Sequence, residues 1–397
     1  MKKCFLLFIS IILLLAGCKV KSDHKDIKEY ENKISIDISE KIDNISISSG
    51  EELLLDNEYC NIIYFDAKQL IFTKDGDINQ ELDTAEALFY YYDIKSGKTV
   101  YLTKIENVYS STQDIAILEN RIYYPLSINE NDVLIEYILE ISLDDFECRL
   151  VKSRETDSSV TRLEATDNEV FRYYQREISN DETDFYIDNI GSLDKIENVI
   201  YTKYRDKAGN ILVSTCVYKD RIFTYSIIYN EKKEYVIGEY SLEGELLNQY
   251  NIDLTEFLKI KEVNDTDVVY RIFREGNYFI LNTLNNRIKI YKIIEGQGQL
   301  IDVETPPEFE ELLGARVIEN YGNNSNYVYF MDSTDGNIIY IFDIKKGKIN
   351  KFNISGNDIQ SNNILRDTEG NIITITQTND SYKYFFISLD DIVDNLN

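Results

Sequence analysis

Two octapeptides 250 residues apart carry one pattern: Tyr91-Tyr92-Asp93-Ile94-Lys95-Ser96-Gly97-Lys98 and Ile341-Phe342-Asp343-Ile344-Lys345-Lys346-Gly347-Lys348. Each reads as the end of an apolar strand, a polar residue, then a turn closed by glycine. Weaker copies stand between and after them: Ile141-Ser142-Leu143-Asp144, Ile187-Asp188-Asn189-Ile190-Gly191, Tyr240-Ser241-Leu242-Glu243-Gly244, Tyr291-Lys292-Ile293-Ile294-Glu295-Gly296 and Ile387-Ser388-Leu389-Asp390. Anchored on positions 93, 142, 188, 241, 292, 343 and 388, the spacings are 49, 46, 53, 51, 51 and 45 residues.

The residues around these anchors alternate with period two. Ile34-Ser35-Ile36-Asp37-Ile38 is one such stretch, and the β-branched and aromatic runs Ala87–Tyr92 and Ile338–Phe342 read as strands. No long amphipathic helix is evident, and only 254–261 and 308–313 read as single helical turns. A second turn signal interleaves with the first: Asp75-Gly76-Asp77-Ile78, Ala208-Gly209-Asn210-Ile211, Asp335-Gly336-Asn337-Ile338 and Glu369-Gly370-Asn371-Ile372 each read as a tight hairpin.

An all-β chain repeating at about fifty residues is expected to be a β-propeller, with one four-stranded blade per repeat. Seven anchors predict seven blades. The weak middle copies leave six or eight blades, or a pair of β-sandwiches, as alternatives. Nine residues follow Ser388, too few for a full outer strand, whereas Ile34–Ser48 alternates without a partner. That N-terminal segment is therefore expected to supply the outermost strand of the last blade and close the ring.

Composition excludes several chemistries. The 397 residues hold 42 Lys and Arg against 70 Asp and Glu, a net charge of −28, which argues against a nucleic-acid partner. The single histidine, His24, sits just behind the N-terminal apolar run, so a Ser-His-Asp triad is nearly excluded, and so is a multi-histidine zinc site. With 43% apolar residues the chain can bury a core.

The N-terminus reads separately. Lys2 and Lys3 precede an apolar run from Phe5 to Leu15, too short to span a bilayer, followed by Leu15-Ala16-Gly17-Cys18. Charge, apolar core and tetrad in this order resemble the lipobox of bacterial lipoproteins, over the first 18 residues only. The resemblance implies that residues 1–17 are a signal peptide and that Cys18 carries a diacylglycerol and becomes the mature N-terminus. Two or three acyl chains, at about 0.8 kcal/mol per buried CH₂, anchor stably where one is marginal. Losing Lys2 and Lys3 with the leader takes the net charge from −28 to −30. Residues 18–33 read as a polar tether that includes His24, and 34–397 as the propeller domain.

Cys60, Cys148 and Cys216 fall in apolar stretches and are expected to be buried free thiols. Propellers bind through loops joining one blade to the next, and two are long here, 251–266 and 295–316. The second carries Asp302, Glu304, Glu308, Glu310 and Glu311 around Pro306-Pro307. It reads either as a stiff acidic cap on a channel mouth or as a solvated face. Asp75-Gly76-Asp77 and Asn264-Asp265-Thr266-Asp267 lack the spacing of a calcium loop, so no metal and no cofactor is expected. Tyr90, Tyr92, Tyr327 and Tyr329 alternate along strands, as core packing requires.

The repeats resemble loose extracytoplasmic bacterial propellers over residues 50–392, through turns and strands alone, which carries no catalytic residue across. The expectation is a lipid-anchored, non-catalytic binding or scaffold module outside a bacterial membrane. Its partner would be an envelope protein, peptide or glycan. The runner-up is a cell-surface carbohydrate-active enzyme with paired carboxylates.

Overall fold

The computed structural model describes residues 33–35, 37–46, 50–55, 59–111, 115–155, 161–166, 168–179, 182–192, 195–205, 211–229, 233–254, 269–283, 288–294, 299–304, 315–318, 327–332, 337–355, 362–367, 369–378 and 381–393. Almost all of them are strand or tight turn. In chain order β1 is Lys33–Ser35, β2 Asp37–Ser46 and β3 Glu51–Leu53. One hydrogen-bonded sheet then holds β4 (Asn61–Phe65), β5 (Gln69–Asn79), β6 (Thr84–Asp93), β7 (Lys98–Ser111), β8 (Ala116–Leu118), β9 (Arg121–Glu130), β10 (Val133–Ser142) and β11 (Cys148–Glu155). A second holds β12 (Thr161–Ala165), β13 (Val170–Ser179), β14 (Glu182–Ser192), β15 (Lys195–Arg205), β16 (Ile211–Tyr218), β17 (Arg221–Tyr229), β18 (Lys233–Tyr240) and β19 (Leu246–Ile252).

Three smaller sheets follow. They are built on β20 (Val269–Glu275), β21 (Tyr278–Thr283), β22 (Ile288–Ile294) and β23 (Gln299–Glu304); on β24 (Ala315–Ile318), β25 (Tyr327–Asp332), β26 (Ile338–Asp343) and β27 (Lys348–Ser355); and on β28 (Asn362–Arg366), β29 (Ile372–Thr378) and β30 (Ser381–Ile387). A single helical turn, α1 (Leu389–Val393), ends the described chain. Among the described residues, no helix is long and apolar enough to cross a membrane.

All pairings within these runs are antiparallel and, apart from β7 with β9, between successive strands, the meander of a β-propeller. The repeat positions read from sequence fall on, or just after, β6, β10, β14, β18, β22, β26 and β30, which is every fourth strand. Alternate residues along a strand feed opposite neighbours. Leu70 and Phe72 pack with Ile373, Tyr384 and Phe386, while Ile71 between them packs with Ile122, Tyr124 and Leu139. Each such side chain contributes about 2 kcal/mol by leaving water, and the strands are held on both faces.

Each of the two large sheets contains a join between runs of four strands. β9 shares one edge end to end: β8 pairs with Arg121–Tyr123 and the tail of β7 with Leu126–Ile128. Between β15 and β16 the link is one pair, Arg205↔Ile211.

The N-terminal strand departs from expectation. Among the described residues of the 34–48 segment none pairs with the last sheet; Glu51–Leu53 do, antiparallel to β30. The preceding residues run outside two other sheets: β1 pairs parallel with β23, and β2 parallel with β27. One residue separates β1 from β2. Strand twist accumulates across a blade, so fourth strands lie along the rim, and one extended segment can pair with two in succession.

One hairpin expectation also fails. Asp75-Gly76-Asp77-Ile78 lies inside β5, as a bulge at which the register with β6 skips from Asp75↔Ala87 to Ile78↔Ala85. A Cβ on Gly76 would stand 2.8 Å from Glu86 Oε2, so glycine serves a close approach there. The chain reverses instead at residues 80–83, with Asp83 at φ 51°. Glu369-Gly370-Asn371 does turn between β28 and β29, with Gly370 at φ 99°. Residues 206–210 and 333–336, and the helical turns expected at 254–261, Leu254 excepted, and at 308–313, lie outside the described residues.

Candidate functional site

In an antiparallel meander, the turns from first to second strand and from third to fourth lie at one end. That end is the best-described face of the molecule. Asp93 accepts the Ser96 amide at 2.6 Å and its carbonyl accepts from Gly97 at 2.9 Å, with Gly97 at φ 65°. Asp343 repeats this at 3.0 Å from Lys346 and 2.9 Å from Gly347, which has φ 63°. Ser241 does the same work through Oγ, which accepts from Glu243 and Glu245, and Ser388 Oγ accepts from Asp391 at the start of α1. The hydrogen bonds from Ser96 hold the Asp93 carboxyl below the ordinary aspartate range.

Nearer the axis, Asp66 accepts from Lys68, Gln69 and the Tyr64 hydroxyl. Burial and the Asp66 charge push the Tyr64 hydroxyl up. Asp367 accepts from the amides of Glu369, Gly370 and Asn371 and from the Asn371 side chain, at 2.6 to 2.9 Å. Burial nonetheless raises the Asp367 carboxyl above its usual range. The Arg366 guanidinium stacks 4.7 Å from the Tyr329 ring, and the Tyr329 hydroxyl donates to the Gly370 carbonyl at 2.6 Å. These carboxylates fold turns.

A second set of charges lies between the large sheets. Arg172, on β13, donates to Glu136 of β10 at 2.9 Å, to Asp188 of β14 at 2.5 Å, and to Ser153 Oγ of β11. Ser153 Oγ in turn donates to Glu136 at 3.1 Å. The Arg172, Glu136 and Asp188 side chains are 3%, 2% and 5% exposed, so one guanidinium faces two carboxylates away from water. The guanidinium lies 5.0 Å from the Tyr174 ring, itself stacked on Tyr186.

Other buried charges also join neighbouring strand groups. Glu164 on β12 accepts the Val217 amide of β16 at 2.5 Å and pairs with Arg162 at 2.5 Å. Arg274 is set among Tyr218, Phe223 and Phe279, 5.0 to 5.4 Å from the ring centres, and burial lowers its pKa. Within a single group, Lys289 of β22 reaches Asp302 of β23 at 2.5 Å.

Few of these residues stand out in the sequence. Asp188 was expected beside a turn and instead lies within β14, opposite Arg172; Lys292 likewise lies within β22. The signal for Arg172 was available: it interrupts the apolar run Val170-Phe171-Arg172-Tyr173-Tyr174, all four of whose first residues are buried. Tyr92 and Tyr329 are buried as core residues, as strand alternation implied. Cys60 and Cys216 are buried thiols outside any disulfide, and Cys148 is half-buried, against the expectation that all three are buried. Of the acidic segment, Asp302 and Glu304 end β23, while Glu308, Glu310 and Glu311 lie outside the described residues. So do Cys18, His24, 255–268 and the whole leader. Among the described residues, no group of three or more His, Cys, Asp or Glu side chains is placed to hold a metal.

No family model matches the chain, and no curated protein does. Solved structures do. An acylaminoacyl peptidase of Pyrococcus horikoshii aligns over 84% of this chain at 11% identity and a TM-score of 0.51; the match spans 52% of that protein, about half its length. An oligogalacturonate lyase of Vibrio parahaemolyticus aligns over 85% of this chain and 93% of its own at 12% identity, TM-score 0.50. The β-propeller domain of the Trilobed protease from Pyrococcus furiosus aligns over 83% of this chain and 94% of its own, at 14% identity and TM-score 0.48. At these identities the likeness is one of fold, and the strand order is that of an all-β propeller.

Proposed function

We propose that the protein is a lipid-anchored, non-catalytic propeller on the outer side of a bacterial membrane, binding or scaffolding an envelope protein, peptide or glycan. The lipobox-like Leu15-Ala16-Gly17-Cys18 supports the anchor on Cys18. The observation that carries the non-catalytic reading is the engagement of the buried carboxylates among the described residues. Glu136 and Asp188 hold Arg172, Glu140 holds Arg121, and Asp343 and Asp367 hold turn amides. A carboxylate committed to a folding contact is not poised to protonate or attack a substrate.

The ring has seven four-stranded blades in this reading. Supporting it are the fourfold spacing of the anchors along the strand order and separate apolar cores between consecutive four-strand groups. The last core joins β28–β30 back to β4–β6.

The test is crosslinking and recovery from intact cells, wild type against Cys18→Ala, with metabolic labelling by a palmitate analogue. The expected result is labelling and membrane retention of the wild type alone, with one envelope component recovered beside it. Labelling of both forms, or of neither, overturns the anchor. Turnover of a surface polysaccharide by the purified propeller overturns the non-catalytic reading.

A further inference from the structure

Ring closure requires only β3, through Glu51↔Phe386, Glu52↔Phe385 and Leu53↔Tyr384. The chain nevertheless lays β1 and β2 along two further rims before reaching it, with three register pairs to β23 and seven to β27, all parallel. The N-terminal segment thus spirals inward: outside two sheets, then as the fourth strand of a third, then into β4 of the next.

We propose that β1 and β2 form a load-bearing strap. A pull applied before Lys33 that runs along β1 and β2 loads the parallel ladders to β23 and β27 in shear, and their hydrogen bonds share the force. A ladder pulled from its end across the strands opens one bond at a time. Ten register pairs stand between the N-terminal load and the three-pair β3–β30 join. The strap keeps tension on the tether from unzipping the closure. Side chains add to the closure itself: Lys383 pairs with Glu52 at 3.3 Å, and the Leu54 amide donates to the Tyr92 hydroxyl at 3.0 Å. The inference rests on the anchored reading for the source of the load, but the strap is tested by applying force directly.

Single-molecule pulling of the chain lacking its leader, with peptide handles at both ends, reads the force at which the ring first opens. Two variants weaken the strap: a Gly-Ser replacement of residues 37–46 strips the side chains of β2, and Asp43→Pro with Asn44→Pro deletes a ladder donor whichever residue faces β27. The opening force is expected to fall by about half in the first, which compromises seven of the ten pairs, and by less in the second. With the first handle moved to Gly50, the load bypasses the strap, and wild type and variants are expected to open alike. Unchanged force from the N-terminal handle overturns the strap. An equal fall in both geometries also overturns it, because that is general destabilisation. Failure of lipid labelling at Cys18 would leave these forces as they are and strike only the anchor.

Discussion

The Cys60 amide donates to the Tyr384 hydroxyl at 2.6 Å across 324 residues of chain, and this bond ties the first strand group to the last. The same hydroxyl donates back to the Cys60 carbonyl at 3.4 Å. Tyr384 is fully buried, and burial raises its pKa. The closure is therefore a side-chain seal as well as a three-residue ladder.

Tyr384→Phe keeps the ring and removes the hydroxyl, leaving a buried amide without its acceptor. The expected cost is about 1–3 kcal/mol, read as a lower urea midpoint with an unchanged slope. A midpoint equal to wild type would mean that the hydroxyl contributes nothing to closure.

Arg172→Met strands Glu136 and Asp188 together in the gap between sheets. Removing one partner of a buried ion pair costs about 3–5 kcal/mol. Replacing all three, Arg172→Met with Glu136→Leu and Asp188→Leu, should recover much of that loss, because no charge is left unpaired. A triple variant less stable than the single one, by urea melts, would contradict the electrostatic account.

Gly347 has φ 63° and nothing within 4 Å of where a Cβ would stand. Gly347→Ala should therefore cost only the left-handed strain, about 1–2 kcal/mol. Gly76→Ala, with no positive φ, meets Glu86 Oε2 at 2.8 Å and Glu86 Cβ at 2.9 Å, so its cost depends on how far the two strands part as well as on how far the carboxylate withdraws. Thermal melts of both, repeated in a Glu86→Gly background, separate the cases: without the Glu86 Cβ the cost of Gly76→Ala should shrink, and that of Gly347→Ala should stay as it was.

Asp367 predicts a pH dependence of unusual sign. Its folded pKa is raised above the unfolded 3.8 by burial, so between the two values the folded chain holds a proton that the unfolded chain lacks. Its contribution to stability is therefore present below the unfolded pKa and is lost as pH rises through the folded one. Asp93, with its pKa lowered, acts oppositely and loses stability as pH falls. The stability advantage of wild type over Asp367→Asn should grow on acidification toward pH 3.8, followed by urea melts at successive pH values. A constant difference would show that burial does not raise this carboxyl.

Much of the fold was legible because its determinants are local. Asp93 and Asp343 each cap a turn within four residues, and Gly97 and Gly347 each supply the positive φ that turn needs. The same logic failed at Asp75-Gly76, where identical residue types serve a bulge. A glycine meets both needs, a turn and a close approach, and a short sequence window does not distinguish them. At Asp188 the repeat was legible but the role was not, since Arg172 approaches it from 16 residues earlier in the chain.

The period, the strand alternation and the turn chemistry follow from the order of residues alone, since each is fixed by interactions within a few positions. The Lys-Lys, apolar and Leu-Ala-Gly-Cys order is likewise a local signal. Tertiary structure alone decided that 33–46 lie along two rims while 51–53 close the ring, and that Arg172 bridges β10 and β14. An alternating strand offers the same ladder to any free edge. Which edge it takes depends on where the rest of the chain has left one open.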